Sequence, residues 1–431
     1  MKTAINSPIP TSSINRLIFL DNLRYLFVIG VVIQHATMAY MPSTWWPVAD
    51  EPSLLVSFLT GFFDGFLMPS LFFIAGFFAI PSMINKSVTQ FIKGKFRRLG
   101  IPWLACTLFI GPILPLIYHY TRNNMTLTVS YGHTWLTLMK NALSFDIGLL
   151  PPMSQVMEND LFYQRYMWFI SLLMAFFLIF SLVYVLRKKW FKPVDASLNM
   201  VGPSILSTIK TMVTVGLLTF FGSTLLIGIM FALSSGVSNP ESWFTLGNVI
   251  QFRVSRIFLH AAYFILGILT YKNRWLESGK LPGHHRTWAL SFLIVFLAYY
   301  SSFFLMVNGG DSGTEKLYGL LHWFCLNFFT ITALGLFMSM GVRYLNKPNR
   351  FNGFMTSHSY NLYLAHYLFV IVFQLLLLMI SDIPSLLKFG FVSLLSICCG
   401  LLVSRYMIKP YPIKTLTVIV GMFLFMIIFI R

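Results

Sequence analysis

The 431 residues are 57% hydrophobic and 10% charged, with 31 Lys and Arg against 13 Asp and Glu and a formal net charge of +18. Soluble domains carry about 25% charged residues, so the composition excludes a water-soluble fold and points to a membrane protein. The positive excess would suggest nucleic acid in a soluble chain; here it follows from the Lys/Arg bias of cytoplasmic loops, and no nucleic-acid partner is expected.

Taken in order, the apolar runs predict one domain over 1–431, an all-α polytopic bundle of ten to eleven transmembrane helices in a lipid bilayer. Spans fall near 17–40, 54–80, 101–121, 165–186, 205–234, 249–271, 287–307, 317–341, 358–380, 386–407 and 413–430. The first run is too long for a cleavable signal peptide and lacks its small-residue cleavage site. The fifth is long enough to be tilted or broken around Gly216 to Ser235. The 122–164 connection has room for a short surface helix, and no repeat or second domain is apparent.

With the N-terminus in the cytoplasm, 22 Lys and Arg fall on the cytoplasmic side and eight outside, with Arg24 inside the first span. The count includes Lys2 and Arg16 inside and Arg431 outside. That asymmetry supports an N-in orientation.

The first span, RLIFLDNLRYLFVIGVVIQHATMAY, holds Asp21, Arg24 and His35. Ionisable groups inside a membrane are costly and face a bundle interior or a water-filled path. Arg24 and His35 are eleven residues apart, which returns to within about 20° of one face at a separation of about 16 Å. Asp21 shares that face three residues before Arg24. An imidazole at the outer end suits general-base deprotonation of a hydroxyl; a core histidine or a transporter's proton relay is the competing reading. The 16 Å spacing is comparable to the pantetheine arm of coenzyme A, so a cytoplasmic donor anchored near Arg24 would reach His35.

Lys93, Lys95, Arg97 and Arg98 open the third span at the cytoplasmic side. They read either as a headgroup anchor or as a phosphate site for a nucleotide-bearing donor. In the second span Asp64 needs a partner, with His35 or Arg256 at similar depth. It is also the first carboxylate expected to orient His35. Arg253, Arg256 and His260 share one face if 249–271 is helical, either as snorkelling arginines or as an inward basic strip for an anionic substrate group. Tyr360, Tyr363 and His366 form a polar stripe in the ninth span, and His322 with Trp323 would line the same cavity. His284 and His285 fall in a cytoplasmic loop. Cys106, Cys325, Cys398 and Cys399 sit in apolar runs without ligand spacing and read as small core residues, so neither a metal nor a disulfide is expected.

The Arg-ten residues-His pattern from Arg24 to His35, preceded by FLDNLR, resembles the signature of the membrane acyltransferase family 3. So do FFIAGFF followed by FRRLGIPWL, MWFISLL at Met167 to Leu173, YFILGILTY at Tyr263 to Tyr271, and SYNLYLAH at Ser359 to His366. These matches run the whole length in order. EPSLLVSFLTGFF and RRLGIPWL are most similar to the branch of glucan-biosynthesis succinyltransferases. The resemblance implies transfer of an acyl group from cytoplasmic acyl-coenzyme A to a hydroxyl outside, on a glycan of the cell envelope, at a bacterial inner membrane. His35 would be the catalytic imidazole, directly or through an acyl-histidine, and Arg24 its partner toward the donor. Lys95, Arg97 and Arg98 would hold the nucleotide end. No periplasmic hydrolase-like domain is evident, so transfer is expected to finish within the bundle. With succinyl-coenzyme A as donor, Arg253 and Arg256 offer a place for the free carboxylate; with acetyl-coenzyme A that pair needs another role. The rivals are acetylation of a lipid-linked sugar or surface polysaccharide, and a proton-coupled transporter using Asp64 and His35.

Overall fold

Apolar runs of about twenty residues can satisfy their backbone in a bilayer only as helices or closed barrels, and this chain takes the helical solution. The computed structural model describes residues 17–42, 45–192, 204–233, 241–277, 281–309 and 314–430. Lys2, Arg16, Ser235 and Arg431 lie outside these.

The main helices are α1 (Ile18–Thr37), α2 (Leu54–Phe77), α3 (Val88–Arg122), α4 (Trp168–Leu186), α5 (Ile205–Leu233) and α6 (Ile257–Lys272). They continue as α7 (His285–Asn308), α8 (Thr314–Tyr344), α9 (Arg350–Leu378), α10 (Ser385–Val403) and α11 (Pro412–Phe429). Among the described residues ten helices are long and apolar enough to cross a membrane, and α6 is a shorter apolar helix. The all-α polytopic expectation holds.

Three boundaries differ from the sequence reading for physical reasons. The ninth helix begins at 350 rather than 358, because the Asn349 side chain caps it by accepting from the Asn352 N–H. The third helix begins at 88 rather than 101, because Ser87 and Gln90 form a reciprocal capping box ahead of the basic residues. The sixth begins at 257, because 250–253 is a strand. β1 (Ile147–Leu149), β2 (Trp243–Leu246) and β3 (Ile250–Arg253) form an antiparallel sheet in that order, with Phe244 opposite Phe252. Gly247 and Asn248 both take positive φ in the turn between β2 and β3, as a tight hairpin requires. The 122–164 connection carries helices Tyr131–Leu143 and Met153–Glu158.

Helix α8 runs through the middle, with 72% of its most apolar window buried, against 6% for α11 at the edge. α2 and α6 approach so closely that a Cβ on Gly76 would lie 2.0 Å from the Phe264 carbonyl oxygen. One on Gly267 would lie 2.1 Å from that of Phe73. Small residues let membrane helices meet backbone to backbone. Outward faces are apolar, as at Leu218, Phe221 and Leu225 of α5 and Leu293, Ile294 and Leu297 of α7. Contiguous apolar surface of this extent belongs in lipid. The chain is a multi-pass membrane protein.

Candidate active site

Helix α1 is unbroken from Ile18 to Thr37, so Arg24 and His35 keep their helical separation of about 16 Å. His35 Nδ1 lies 3.0 Å from His366 Nε2, and His366 Nδ1 lies 2.6 Å from the Tyr363 carbonyl oxygen. A carbonyl only accepts, so His366 Nδ1 carries the proton and donates. The neutral His366 ring then has a lone pair on Nε2, which takes the His35 Nδ1–H. This assignment of protons follows from the network. It leaves the lone pair of His35 on Nε2. The arrangement is a base held in one tautomer by a second imidazole.

The ring of His35 is boxed by aromatics. Trp46 stacks on it at 5.9 Å and 14°, and Tyr367 meets it edge-on at 5.0 Å. The Trp46 indole N–H donates to Gln374 Oε1 at 2.8 Å, and Gln374 Nε2 donates to the His35 carbonyl at 3.2 Å. Helix α9 supplies this wall and more. Thr356, Tyr360, Tyr363, Tyr367 and Gln374 lie at i, i+4, i+7, i+11 and i+18, within about 40° of one line along the helix. Thr356 contacts the Asp21 carbonyl at 3.5 Å, Tyr360 donates to the Arg98 carbonyl, and Tyr363 donates to the Tyr166 carbonyl at 2.5 Å. One stripe therefore runs from the Arg24 end of the bundle to His35.

Asp64 does not orient His35. Its Oδ2 takes Arg256 Nη2 at 3.1 Å and Arg253 Nη1 at 3.3 Å, while Oδ1 takes Gln34 Nε2 at 3.3 Å. Two guanidiniums hold the carboxylate, and the α1 residue that reaches it is Gln34, about 100° round the helix from His35. The expected helical face of Arg253, Arg256 and His260 is likewise corrected, since Arg253 ends β3 and Arg256 caps α6. The pair does turn inward rather than snorkel. Arg253 also bonds Glu241 at 3.2 Å. Burial opposes its charge, but the carboxylates of Asp64 and Glu241 outweigh that and push its pKa up.

Arg256 lies 5.5 Å over the Trp323 ring, and its Nε and Nη1 are buried without a hydrogen-bond partner. His260 is packed between Phe72 and Trp168 with an unpartnered Nδ1. His322 stacks on Tyr299 at 4.8 Å and meets Ser302 at 3.2 Å. His322 and Trp323 thus lie against α7 and Arg256, not in the shell of His35.

At the other end Arg24 pairs with Asp21 at 3.3 Å. Lys93, Lys95, Arg97 and Arg98 all lie within α3, which has π turns at Phe96–Gly100 and Cys106–Ile110. Such turns leave carbonyls without helical partners, and Tyr360, Tyr131 and Trp135 occupy those of Arg98, Phe109 and Leu108. Arg97 and Arg98 are exposed. Lys95 packs its ammonium 3.6 Å from the Phe177 ring. Cys106 and Cys325 are buried as expected, but Cys398 is exposed on the outer face of α10.

Sequence reasoning missed Arg165. It is buried, adopts φ +54°, and leaves Nη2 without a partner. A left-handed non-glycine residue persists only where its surroundings over-determine it. Here the preceding Gln164 is held by Gln251 at 2.8 Å, Asn248 at 3.0 Å and Ser171 at 2.6 Å. The next residue, Tyr166, stacks on Tyr367 at 4.5 Å and 11°. An arginine at the first residue of an apolar span carries no signal of its own in sequence; the aromatic run after it is the one hint.

A family profile described as an acyltransferase domain, of the acyltransferase 3 type, matches residues 17–405. Over 100 residues the chain is 30% identical to "Glucans biosynthesis protein C" of Escherichia coli (strain SMS-3-5 / SECEC), covering 23% of this chain and 25% of the relative. The protein of the same name from Shigella dysenteriae serotype 1 (strain Sd197) matches with the same identity and coverage. The chain therefore spans about a quarter of the length of the curated relatives it matches. No solved structure matches it. With the profile spanning all but the two ends, and with the Arg24 and His35 helix, the basic α3 and the α9 stripe inside the matched region, the chain belongs to the membrane acyltransferase family 3.

Proposed function

We propose that the chain is an O-acyltransferase of a bacterial inner membrane that moves a succinyl or acetyl group from cytoplasmic acyl-coenzyme A to a hydroxyl of an extracytoplasmic glycan. The observation that carries this reading is the tautomer lock: His366 leaves His35 Nε2 as a lone-pair base inside an aromatic box. In the reaction, His35 Nε2 takes the acceptor hydroxyl's proton as its oxygen attacks the thioester carbonyl. The tetrahedral intermediate expels the thiolate, and Nε2–H returns the proton to sulfur. The products are an ester and free coenzyme A. His366 Nε2 accepts from the imidazolium as it forms, a bond that strengthens with the charge.

Arg24, Arg97 and Arg98 are cations at the end of the bundle opposite His35, which suits the phosphates of the donor, with Lys95 supporting the helix that carries them. The basic-inside count supports placing that end in the cytoplasm. The open donors of Arg256 favour an acyl group with a free carboxylate. Purified protein in nanodiscs, supplied with acetyl- or succinyl-coenzyme A and followed by thiol release, tests the reading. Turnover is expected with wild type and absent in His35→Ala. Arg256→Ala is expected to slow the succinyl donor selectively; an equal loss on both donors would sink the carboxylate assignment. Absence of turnover with either donor, in the presence of glycan, would overturn the acyl-transfer reading.

A further inference from the structure

A second polar feature lies at the His35 end of the bundle. A cleft of about 370 Å³ is lined by Tyr118, His119, Arg122, Asn123 and Glu158, within the range of small-ligand sites. It is built where α3 ends and helix Met153–Glu158 closes over it. His119 is fixed by Asp160 at 3.0 Å, and the Arg122 guanidinium lies 4.9 Å from the Tyr118 ring. Glu158 makes no ion pair or hydrogen bond with a described residue.

The lining selects a class of ligand. A carboxylate that accepts, a guanidinium that donates, and an amide that does both match a run of neighbouring hydroxyls. The exposed Glu158 carboxylate disfavours an anion, and an acyl chain would desolvate these groups without replacing their hydrogen bonds. Among the described residues no cluster could hold a metal ion. What remains is a neutral polyhydroxylated ligand.

The cleft is also joined to the base. Arg122 Nη2 donates to the Trp46 carbonyl at 3.2 Å, and Thr121 donates to the Pro47 carbonyl at 2.7 Å. Trp46 is the residue whose indole stacks on His35 and holds Gln374. We propose that this cleft is a carbohydrate subsite, which holds one sugar unit of the acceptor on Glu158, Arg122 and Asn123 while a neighbouring unit reaches His35. The proposal rests on the acyl-transfer reading above. The sugar belongs to a free oligosaccharide or to a lipid headgroup, which share this chemistry.

The test uses the full chain in nanodiscs and saturation-transfer NMR, with soluble four-unit gluco-oligosaccharides of β-1,2, β-1,3 and β-1,4 linkage. A second arm places monoglucosyl diacylglycerol in the nanodisc. Wild type is expected to bind one class of probe, with affinity at least tenfold lower in Glu158→Gln and in Arg122→Gln. Acyl-coenzyme A binding, measured alongside, shows that the variants are folded. Dependence on Glu158 in the soluble arm alone assigns a free glycan, and in the lipid arm alone a glycolipid. Equal affinity in wild type and Glu158→Gln, or binding of neither probe, would overturn the subsite. Thiol release lost in His35→Ala tests the acyl-transfer reading separately, and that variant is expected to bind the sugar as wild type does.

Discussion

Replacing His366 by leucine removes the acceptor from His35 Nδ1–H while keeping an apolar side chain of similar volume in a fully buried position. In the ground state the 3.0 Å bond between the rings is an ordinary one, worth about 0.5–1.5 kcal/mol. In the transition state His35 becomes imidazolium, and a bond to a charged donor is worth about 1.5–3 kcal/mol. Only the difference of about 1–1.5 kcal/mol acts on the rate, so at 1.36 kcal/mol per decade losing it lowers kcat by about 5- to 13-fold. His366→Gln, which keeps an accepting oxygen, is expected to retain kcat within about threefold, about half that differential on the same scale. His35→Ala loses the whole general-base contribution, about 10²–10⁴. The assay is initial-rate thiol release at saturating acyl-coenzyme A with acceptor present. The order wild type, Gln, Leu, Ala is the expected result. A Leu variant with wild-type kcat, or one changed in KM alone, would refute the orienting role.

Asp64→Asn strands two arginines, and the expected loss of about 1–3 kcal/mol lies below the roughly 3–5 kcal/mol of a fully buried pair, because Asp64 keeps 33% of its side chain exposed. Thermal unfolding in detergent should show it, and an additional Arg256→Met should recover part of the loss. Gly76→Ala and Gly267→Ala place a Cβ about 2 Å from a backbone oxygen, and each is expected to destabilise beyond the usual 1–3 kcal/mol of overpacking. Gly94→Ala, with nothing within 4 Å, should be neutral or slightly stabilising by the same measurement. Arg165→Gly fits the left-handed turn without strain and removes a buried unpartnered donor. It also gives up the Nη1 bond to Met157 Sδ at 2.7 Å and leaves buried space, so its unfolding temperature should fall; unchanged acyl transfer would make Arg165 purely structural.

The sequence made legible whatever depends on contrast. His35 and Arg24 stand out because charge is rare in an apolar run, and the helix that joins them is regular, so their spacing carries into three dimensions. The stripe of Tyr360, Tyr363 and His366 was visible as a pattern, but its job was not, because that depends on which ring of α1 meets it. Asp64 had two candidate partners at one depth, and only the turn from β3 into α6 brings the arginines round to it. That turn was hidden by treating 249–271 as helix, although Leu246-Gly247-Asn248-Val249 between apolar stretches is a hairpin signal. The onset of α3 was obscured because its lysines and arginines interrupt the apolar run, whereas Ser87 and Gln90 marked the start. Arg165 depends on Gln164 meeting Gln251, 87 residues away, a contact no local pattern announces.

The measurement that bears most directly on the central claim is the mass of gluco-oligosaccharide recovered after incubation with acyl-coenzyme A and protein in nanodiscs. Wild type should add one succinyl or one acetyl unit per transfer, His366→Gln should do so more slowly, and His35→Ala should yield unmodified sugar while binding it normally. Acylated sugar from His35→Ala at the wild-type rate would contradict the assignment of His35 Nε2 as the base.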